Sequence, residues 1–268
     1  MPSPPAAGLL QGQKALVTGA AGILGRVFCG ALVDAGCDVI GVDIDGKKIT
    51  EACGPRVRAV SVDLSSEADI VALGKSLESE SSVPDILVNN AGSKSSRPRD
   101  FFAPFEEASV SVWDEVMAVN LRAAMILARE IGRRLVAKRR PGSIINIASI
   151  YGVVAPDKRI YEGSDYPDLG GSISTPAVYS ASKAGLIGLT RYLAAYWGEA
   201  GIRVNAISPG GVASGQNETF TEKYSARAPM RRMAQANEMT GALLYLASAQ
   251  SSYVTGQNIV VDGGLTAW

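Results

Sequence analysis

The sequence predicts an α/β fold: a single domain built on a doubly wound parallel sheet with helices on both faces. Three observations predict it. Short apolar runs at residues 14–17, 38–42, 86–88 and 143–148 alternate with runs of helical length, the pattern of a parallel sheet covered on both sides. A glycine-rich turn, Thr18-Gly19-Ala20-Ala21-Gly22-Ile23-Leu24-Gly25, joins the first strand to the first helix. A length of 268 residues with 47% apolar content is enough for one large core.

The elements follow in order. Residues 1–11, with Pro2, Pro4 and Pro5, lack a basic region and read as a short disordered lead and not a signal peptide, leaving residues 12–268 as the domain. The first strand runs into the glycine turn. Gly19 permits a tight bend. Gly22, Ile23 and Leu24 place backbone amides at a helix N-terminus, where the dipole favours an anion. Gly25 allows helix and strand to approach closely. Strand, glycine loop, helix is the context of a dinucleotide-binding turn. The second strand ends in Asp43, 18 residues after Gly25. There a carboxylate accepts hydrogen bonds from an adenosine ribose and repels a 2′-phosphate, which predicts NAD over NADP, and Asp45 adds to the repulsion. Further on, Ala177 to Trp197 reads as a helix. Tyr179 and Lys183 are one turn apart on it and share a face. A free tyrosine, with a pKa near ~10, is a poor acid or base at neutral pH. A neighbouring ammonium is expected to lower it into the working range.

Together these pieces resemble the short-chain dehydrogenase/reductase superfamily, over nearly the whole chain. The resemblance rests on further motifs in the family's order. Val62-Asp63-Leu64 looks like the segment at the adenine ring. Asn89-Asn90-Ala91-Gly92 matches the motif that steadies the central sheet and lines the cofactor cleft. Asn120, Ser149, Tyr179 and Lys183 match the catalytic asparagine, serine, tyrosine and lysine. Pro209-Gly210-Gly211-Val212 resembles the segment beside the nicotinamide, with Ser214 where threonine is commoner, and Val261-Asp262-Gly263-Gly264 resembles the C-terminal signature. The resemblance implies a Rossmann-type fold and NAD bound by Gly19, Gly22, Ile23, Leu24, Gly25, Asp43, Asp63, Leu64, Asn90, Ala91, Gly92, Tyr179, Lys183, Pro209, Gly210 and Val212. It implies that Tyr179 transfers the proton, that Lys183 tunes Tyr179 and holds the ribose, that Ser149 binds the substrate oxygen, and that Asn120 supports a water linking Lys183 to solvent. It also implies a homotetramer of 222 symmetry, packed through the apolar segments 112–136 and 178–197.

Three departures stand out. The middle glycine of the first loop sits at 22, one residue earlier than in most members of this length. Ala148 replaces a frequent second serine. Ser149 and Tyr179 are 30 residues apart, far beyond the usual spacing. Residues 155–175 therefore read as an insertion at the active-site mouth. Its Asp157, Lys158, Arg159, Tyr161, Glu162, Asp165, Tyr166 and Asp168, with Gly163, Gly170 and Gly171, suggest a mobile polar loop that covers substrate.

Composition narrows the function classes. Net charge is zero with mixed signs, so neither nucleic acid nor a charged membrane surface is expected as a partner. No apolar run reaches the ~18 residues of a membrane span. Cys29, Cys37 and Cys53 have no metal or redox spacing and fit reduced thiols in a cytoplasmic protein. Histidine is absent, which excludes Ser-His-Asp chemistry and histidine-bound metals. The expected substrate is a small molecule, a sugar or sugar derivative. Lys94, Arg97 and Arg99 on one loop, Lys158 and Arg159 on the insertion, and Lys223, Arg227, Arg231 and Arg232 on a flexible 214–236 segment suggest that it is anionic, a phosphorylated or nucleotide-linked sugar. A 3-oxoacyl-carrier-protein reductase is the alternative enzyme, and a non-catalytic NAD-binding scaffold is the alternative of another class.

Overall fold

The computed structural model describes residues 8–164, 166 and 173–268. Seven parallel strands make one sheet in the order β3-β2-β1-β4-β5-β6-β7. They are β1 (Lys14–Thr18), β2 (Asp38–Asp43), β3 (Val57–Ser61), β4 (Ile86–Asn89), β5 (Gly142–Ile147), β6 (Ile202–Pro209) and β7 (Asn258–Val261). The strand order reverses between β1 and β4, which pair in register from Ala15↔Ile86 to Val17↔Val88. At such a switch point the loops after two neighbouring strands diverge and leave a crevice at the carboxyl edge.

Central strands are apolar on both faces because helices cover both. Leu16, Leu87 and Ile144 face a core with α3 (Glu67–Ser79), α6 (Ala123–Ala137) and α7 (Ala177–Trp197). Ala15, Val17, Val88 and Ile145 face the opposite core, with α1 (Ile23–Asp34), α2 (Gly46–Cys53) and α9 (Thr240–Ala247). Alternate residues of one strand thus fill different cores, the period-two signature of a strand. Fully buried Phe28, Leu32, Ile70 and Leu77 anchor the helices, each side chain contributing roughly 1.5–3 kcal/mol of transfer free energy. Helix starts are capped locally: Asp45 accepts from the Lys47 amide, and Ser66 from the Asp69 amide. Between α3 and α6, Arg134 (3% exposed) donates to the equally buried Glu130 at 2.8 Å and to Glu78 at 3.0 Å.

Three expectations need correcting. The lead ends before residue 11: Leu10 is fully buried and its amide donates to the Ala35 carbonyl at 2.9 Å. Residues 1–7 lie outside the described residues. The segment expected to be flexible carries a helix, α8 (Glu218–Arg227), capped by Asn217 and burying Phe220 and Tyr224. The insertion is not wholly polar surface, since Ile160 and Tyr161 are buried against Phe220, Tyr224 and Met233. Its Asp165, Asp168, Gly170 and Gly171 lie outside the described residues.

Candidate active site

A cleft of about 580 Å³ opens at the carboxyl edge over the β1/β4 switch. Its floor is the glycine turn. Gly19 adopts φ +62°, and a Cβ there would stand 2.9 Å from the Ala91 backbone. Gly25 lies under the turn, where a Cβ would come within 2.0 Å of the Gly19 carbonyl oxygen. This glycine is thus required by the turn above it more than by the strand. α1 begins at Ile23, and its first intrahelical bond runs from the Arg26 amide to the Gly22 carbonyl at 3.0 Å. The amides of Ile23 and Leu24, which line the cleft, precede that bond and are free for an anion.

Asp43 and Asp63 line one end of the cleft. Asp43 is held as a carboxylate acceptor by the amides of Ala21 (3.1 Å) and Ile44 (2.8 Å). Asp63 accepts from the amide and hydroxyl of Ser65. Val62 and Leu64 flank it. Asn90, Ala91 and Gly92 form the middle wall. The Asn90 side-chain amide donates to the carbonyls of Thr18 (2.9 Å) and Gly19 (3.2 Å), tying the two switch-point loops together. The Thr18 hydroxyl accepts from the amides of both Asn90 and Ala91.

At the other end Ser149, Tyr179 and Lys183 share a wall, with Pro209, Gly210 and Val212 opposite. Ser149 follows the end of β5, is 6% exposed, and its hydroxyl accepts from the Tyr151 amide. It also lies close enough to the Tyr179 phenol to favour its ionised form. Lys183 is 4% exposed; its ammonium donates to the Ile147 carbonyl at 2.8 Å and stands 5.7 Å from the centre of the Tyr179 ring. Burial pushes its pKa down to about 8. Burial also pushes the Tyr179 phenol up, opposed by Ser149. The expected lowering is therefore corrected: desolvation sets the direction of the shift, and the phenol stays protonated.

Asn120 lies behind the wall and not in it. It sits in a wide π-turn, Ala118–Arg122, between α5 (Val110–Met117) and α6. Its carbonyl oxygen accepts from the Ser93 amide at 2.7 Å and its amide donates to Ser182 at 3.3 Å. It therefore ties the loop after β4 to the tyrosine-bearing helix. Such π-turns recur at functional sites.

Sequence reasoning missed several partners. Asn89 donates to Asn146, which donates to Thr190, both at 2.8 Å, a buried chain joining β4, β5 and α7 beneath the site. Thr18 was passed over although it adjoins the glycine turn, a signal that could have found it. Asn146 and Thr190 are separated by 44 residues and carried none.

The expected convergence of basic loops is not what the structure shows. Arg227 and Arg159 pair with Asp157, Lys223 with Glu162, and Arg232 with Glu238. Arg97 bonds Ser111 and faces Asp100 and Glu115. Of these cations only Lys94 lines the cleft, and it makes no ion pair among the described residues. None of the described helices is long and apolar enough to cross a membrane.

The cleft fits a nicotinamide dinucleotide: glycines where a Cβ would fill the floor, free helix-start amides in the middle, an acceptor pair at one end and a phenol at the other. Comparison with known proteins agrees. A family model described as "short chain dehydrogenase" matches residues 13–164, and one described as "Enoyl-(Acyl carrier protein) reductase" matches residues 169–266. A 2-dehydro-3-deoxy-D-gluconate 5-dehydrogenase of Dickeya dadantii is 33% identical over 96% of this chain and 97% of its own length. The crystal structure of a short chain dehydrogenase from Leptospira borgpetersenii with bound NAD+ is 34% identical, with a TM-score of 0.84 over 96% of this chain and 94% of that one. A gluconate 5-dehydrogenase from Burkholderia cenocepacia in complex with NADP and tartrate is 28% identical, with a TM-score of 0.82 over 98% and 99%. On the matched models, the shared fold and the shared length, this chain belongs to the short-chain dehydrogenase/reductase superfamily of nicotinamide-dependent oxidoreductases.

Proposed function

We propose that the protein interconverts a secondary alcohol and a ketone on a sugar acid, and that it prefers NAD to NADP. The observation that carries this reading is one cleft with Ser149, Tyr179 and Lys183 on a wall at one end and Asp43 at the other. When bound, the nicotinamide supplies or accepts the hydride. Tyr179 exchanges the proton with the substrate oxygen. Its phenol, kept protonated by burial, is an acid ready for ketone reduction. Ser149 orients that phenol and offers its hydroxyl to the same oxygen. Lys183 spends one donor on Ile147 and keeps two for a ribose hydroxyl and the phenol. Asn120 holds the two sides of the site at a fixed separation.

Asp43 supports NAD, because its carboxylate, fixed by the amides of Ala21 and Ile44, would repel the 2′-phosphate of NADP. Lys94 supports an acid: an exposed ammonium in the cleft is complementary to a substrate carboxylate. The sugar-acid names among the relatives point the same way. The apolar exposed faces of α5–α7 support a homotetramer. Tyr192 (64% exposed) and Tyr196 (67%) stack 5.9 Å apart on α7, and Trp113 on α5 and Met125 on α6 are exposed too.

The deciding experiment measures reduction of NAD and of NADP with gluconate, related aldonates, their alditols, and neutral secondary alcohols, alongside reduction of a 3-oxoacyl thioester. Aldonate turnover with NAD above all others is expected, and Lys94→Gln should raise KM for the aldonate but not for its alditol. Thioester turnover exceeding aldonate turnover would overturn the sugar-acid reading in favour of a carrier-protein reductase.

A further inference from the structure

The described residues of 155–175 do not line the cofactor cleft, yet they bring hydroxyl groups to the catalytic end. Tyr161 is 8% exposed, and its hydroxyl lies 2.6 Å from that of Thr175. Its ring lies 5.2 Å from Phe220, which packs 6.0 Å from Tyr224. Tyr224 in turn accepts a hydrogen bond from the amide of Gly211, next to the cleft-lining Gly210. On the other side, the turn Ile150–Gly152 carries Tyr151 directly after Ser149. The turn is pressed onto α7: a Cβ at Gly152 would lie 2.7 Å from the Lys183 carbonyl carbon. Tyr151 is therefore fixed beside the tyrosine-bearing helix. Its ring packs against the cluster of Tyr161, Phe220 and Tyr224, and the phenols of Tyr161, Tyr224 and Tyr179 lie close enough to raise its pKa.

Among the described residues of the insertion, Asp157, Arg159 and Glu162 have their charges paired. Asp157 holds Arg159 and Arg227, and Lys223 donates to the carbonyls of Arg159 and Glu162. Those contacts bind the outer rim of the insertion to α8. What remains inside is a row of neutral hydroxyls, Thr175, Tyr161 and Tyr151, ending near Tyr179. Burial pushes the Tyr151 phenol up, so it stays an uncharged donor and acceptor throughout the working pH range. Each phenol offers one donor and accepts as well, so Tyr151 has capacity for a substrate hydroxyl as well as for the neighbouring Tyr161.

We propose that Tyr151 hydrogen-bonds a substrate hydroxyl flanking the reacting carbon, and that Tyr161, backed by Thr175, is the positioning residue that aims it. The insertion thereby makes the site selective for a polyhydroxylated substrate over a simple alcohol. A site built to bond a hydroxyl rejects the analogue that lacks it, because its own buried group is then left unpaired. This inference rests on the oxidoreductase reading but not on the substrate's carboxylate or the choice of NAD.

The test uses the full chain with both cofactors and two model substrates, butane-2,3-diol and butan-2-ol. Turnover and the dissociation constant from the cofactor complex are measured in parallel, so slow chemistry does not decide the outcome. Tyr151→Phe should lower the diol's kcat/KM and its affinity about 3- to 10-fold, the weight of one neutral hydrogen bond. Butan-2-ol should stay within about two-fold on the same scale. Tyr161→Phe should give the same selective loss, smaller, and should add nothing to Tyr151→Phe in the double variant, as expected of a residue acting through another. Thr175→Val supplies the same readout if Tyr161→Phe unfolds. Equal losses on both alcohols, no loss on the diol, or additive losses in the double variant overturn the proposal. Loss of aldonate preference with the diol contrast intact would instead overturn only the sugar-acid reading.

Discussion

Lys183 should cost the cofactor-free protein stability, and the cost should disappear in alkali. The ammonium is 4% exposed, it donates to the Ile147 carbonyl, and its pKa falls from 10.5 to about 8. A drop of that size corresponds to about 3 kcal/mol of disfavoured charge at neutral pH. The sign follows from proton binding. Between the two pKa values the unfolded chain holds the proton and the folded chain does not, so stability from this group rises with pH. The full cost is present below pH 8, shrinks as pH rises, and is gone above 10.5. Comparing the wild type with Lys183→Met isolates it, since the buried tyrosines and cysteines, which titrate in the opposite sense, are common to both. From pH 7 to 9.5 the wild type should gain about 2 kcal/mol on the variant, or roughly 4 °C in Tm for a chain of this size. At pH 7 the variant should be at least as stable, the removed charge offsetting the Ile147 carbonyl left without a donor, while its turnover is lost. Thermal unfolding of both proteins, without cofactor, across that pH range measures it. A difference in Tm that does not move with pH would refute the argument and place the Lys183 charge in solvent.

Further outcomes can be checked directly. Tyr179→Phe should keep cofactor affinity and lose at least ~100-fold in turnover, the usual scale for general acid–base catalysis; because burial raises this phenol, wild-type alcohol oxidation should quicken as pH rises into the alkaline range, and the variant should lack that limb. Asp43→Asn should improve NADP(H) affinity relative to NAD(H) by about ten-fold, roughly the ~1.4 kcal/mol of one like-charge contact, read by fluorescence titration; an unchanged ratio would remove Asp43 from cofactor choice. Glu130→Gln should destabilise by roughly 3 kcal/mol, because it leaves the buried Arg134 charge with only the half-exposed Glu78 as its counter-charge; denaturant unfolding measures it, and a loss under ~1 kcal/mol, typical of an exposed pair, would contradict the burial. Tyr196→Glu should split the tetramer into smaller species by light scattering, whereas a wild type that is monomeric at micromolar concentration would dismiss the assembly.

What the sequence made legible was chemistry confined to one turn of chain. The glycine turn, the acid at the end of β2 and the Tyr179–Lys183 pair each need particular residue types at short fixed spacing, so each could be read without knowing the rest of the fold. Relations across the sheet could not. The Asn89–Asn146–Thr190 chain joins residues 57 and 44 positions apart, and nothing local marks them as partners. Glu130 and Arg134 have the spacing of an ordinary solvated helix pair; only the packing of α3 on α6 buries them. The sign of the Tyr179 shift failed for the same reason. Spacing reports that an ammonium is near, but burial, which only the fold determines, decides which effect wins.

The insertion shows the limit most clearly. Its glycines and mixed charges suggested a solvated loop, and its charges do satisfy one another at the rim. Two residues within it, Ile160 and Tyr161, do the opposite and fill a core shared with α8. That core has a consequence for function. α8 carries Tyr224, which holds the backbone at Gly211 beside the cleft-lining Gly210, and the insertion holds Tyr151 beside Tyr179. Because both are packed on the same aromatic cluster, a change that loosens Tyr161 should disturb both lips of the catalytic end together. Truncating Tyr161 to alanine should therefore raise KM for cofactor as well as substrate, whereas Tyr161→Phe, which keeps the ring and loses only the hydroxyl, should leave cofactor binding unchanged. Identical effects of the two substitutions on cofactor affinity would mean that the ring does not couple the two sides.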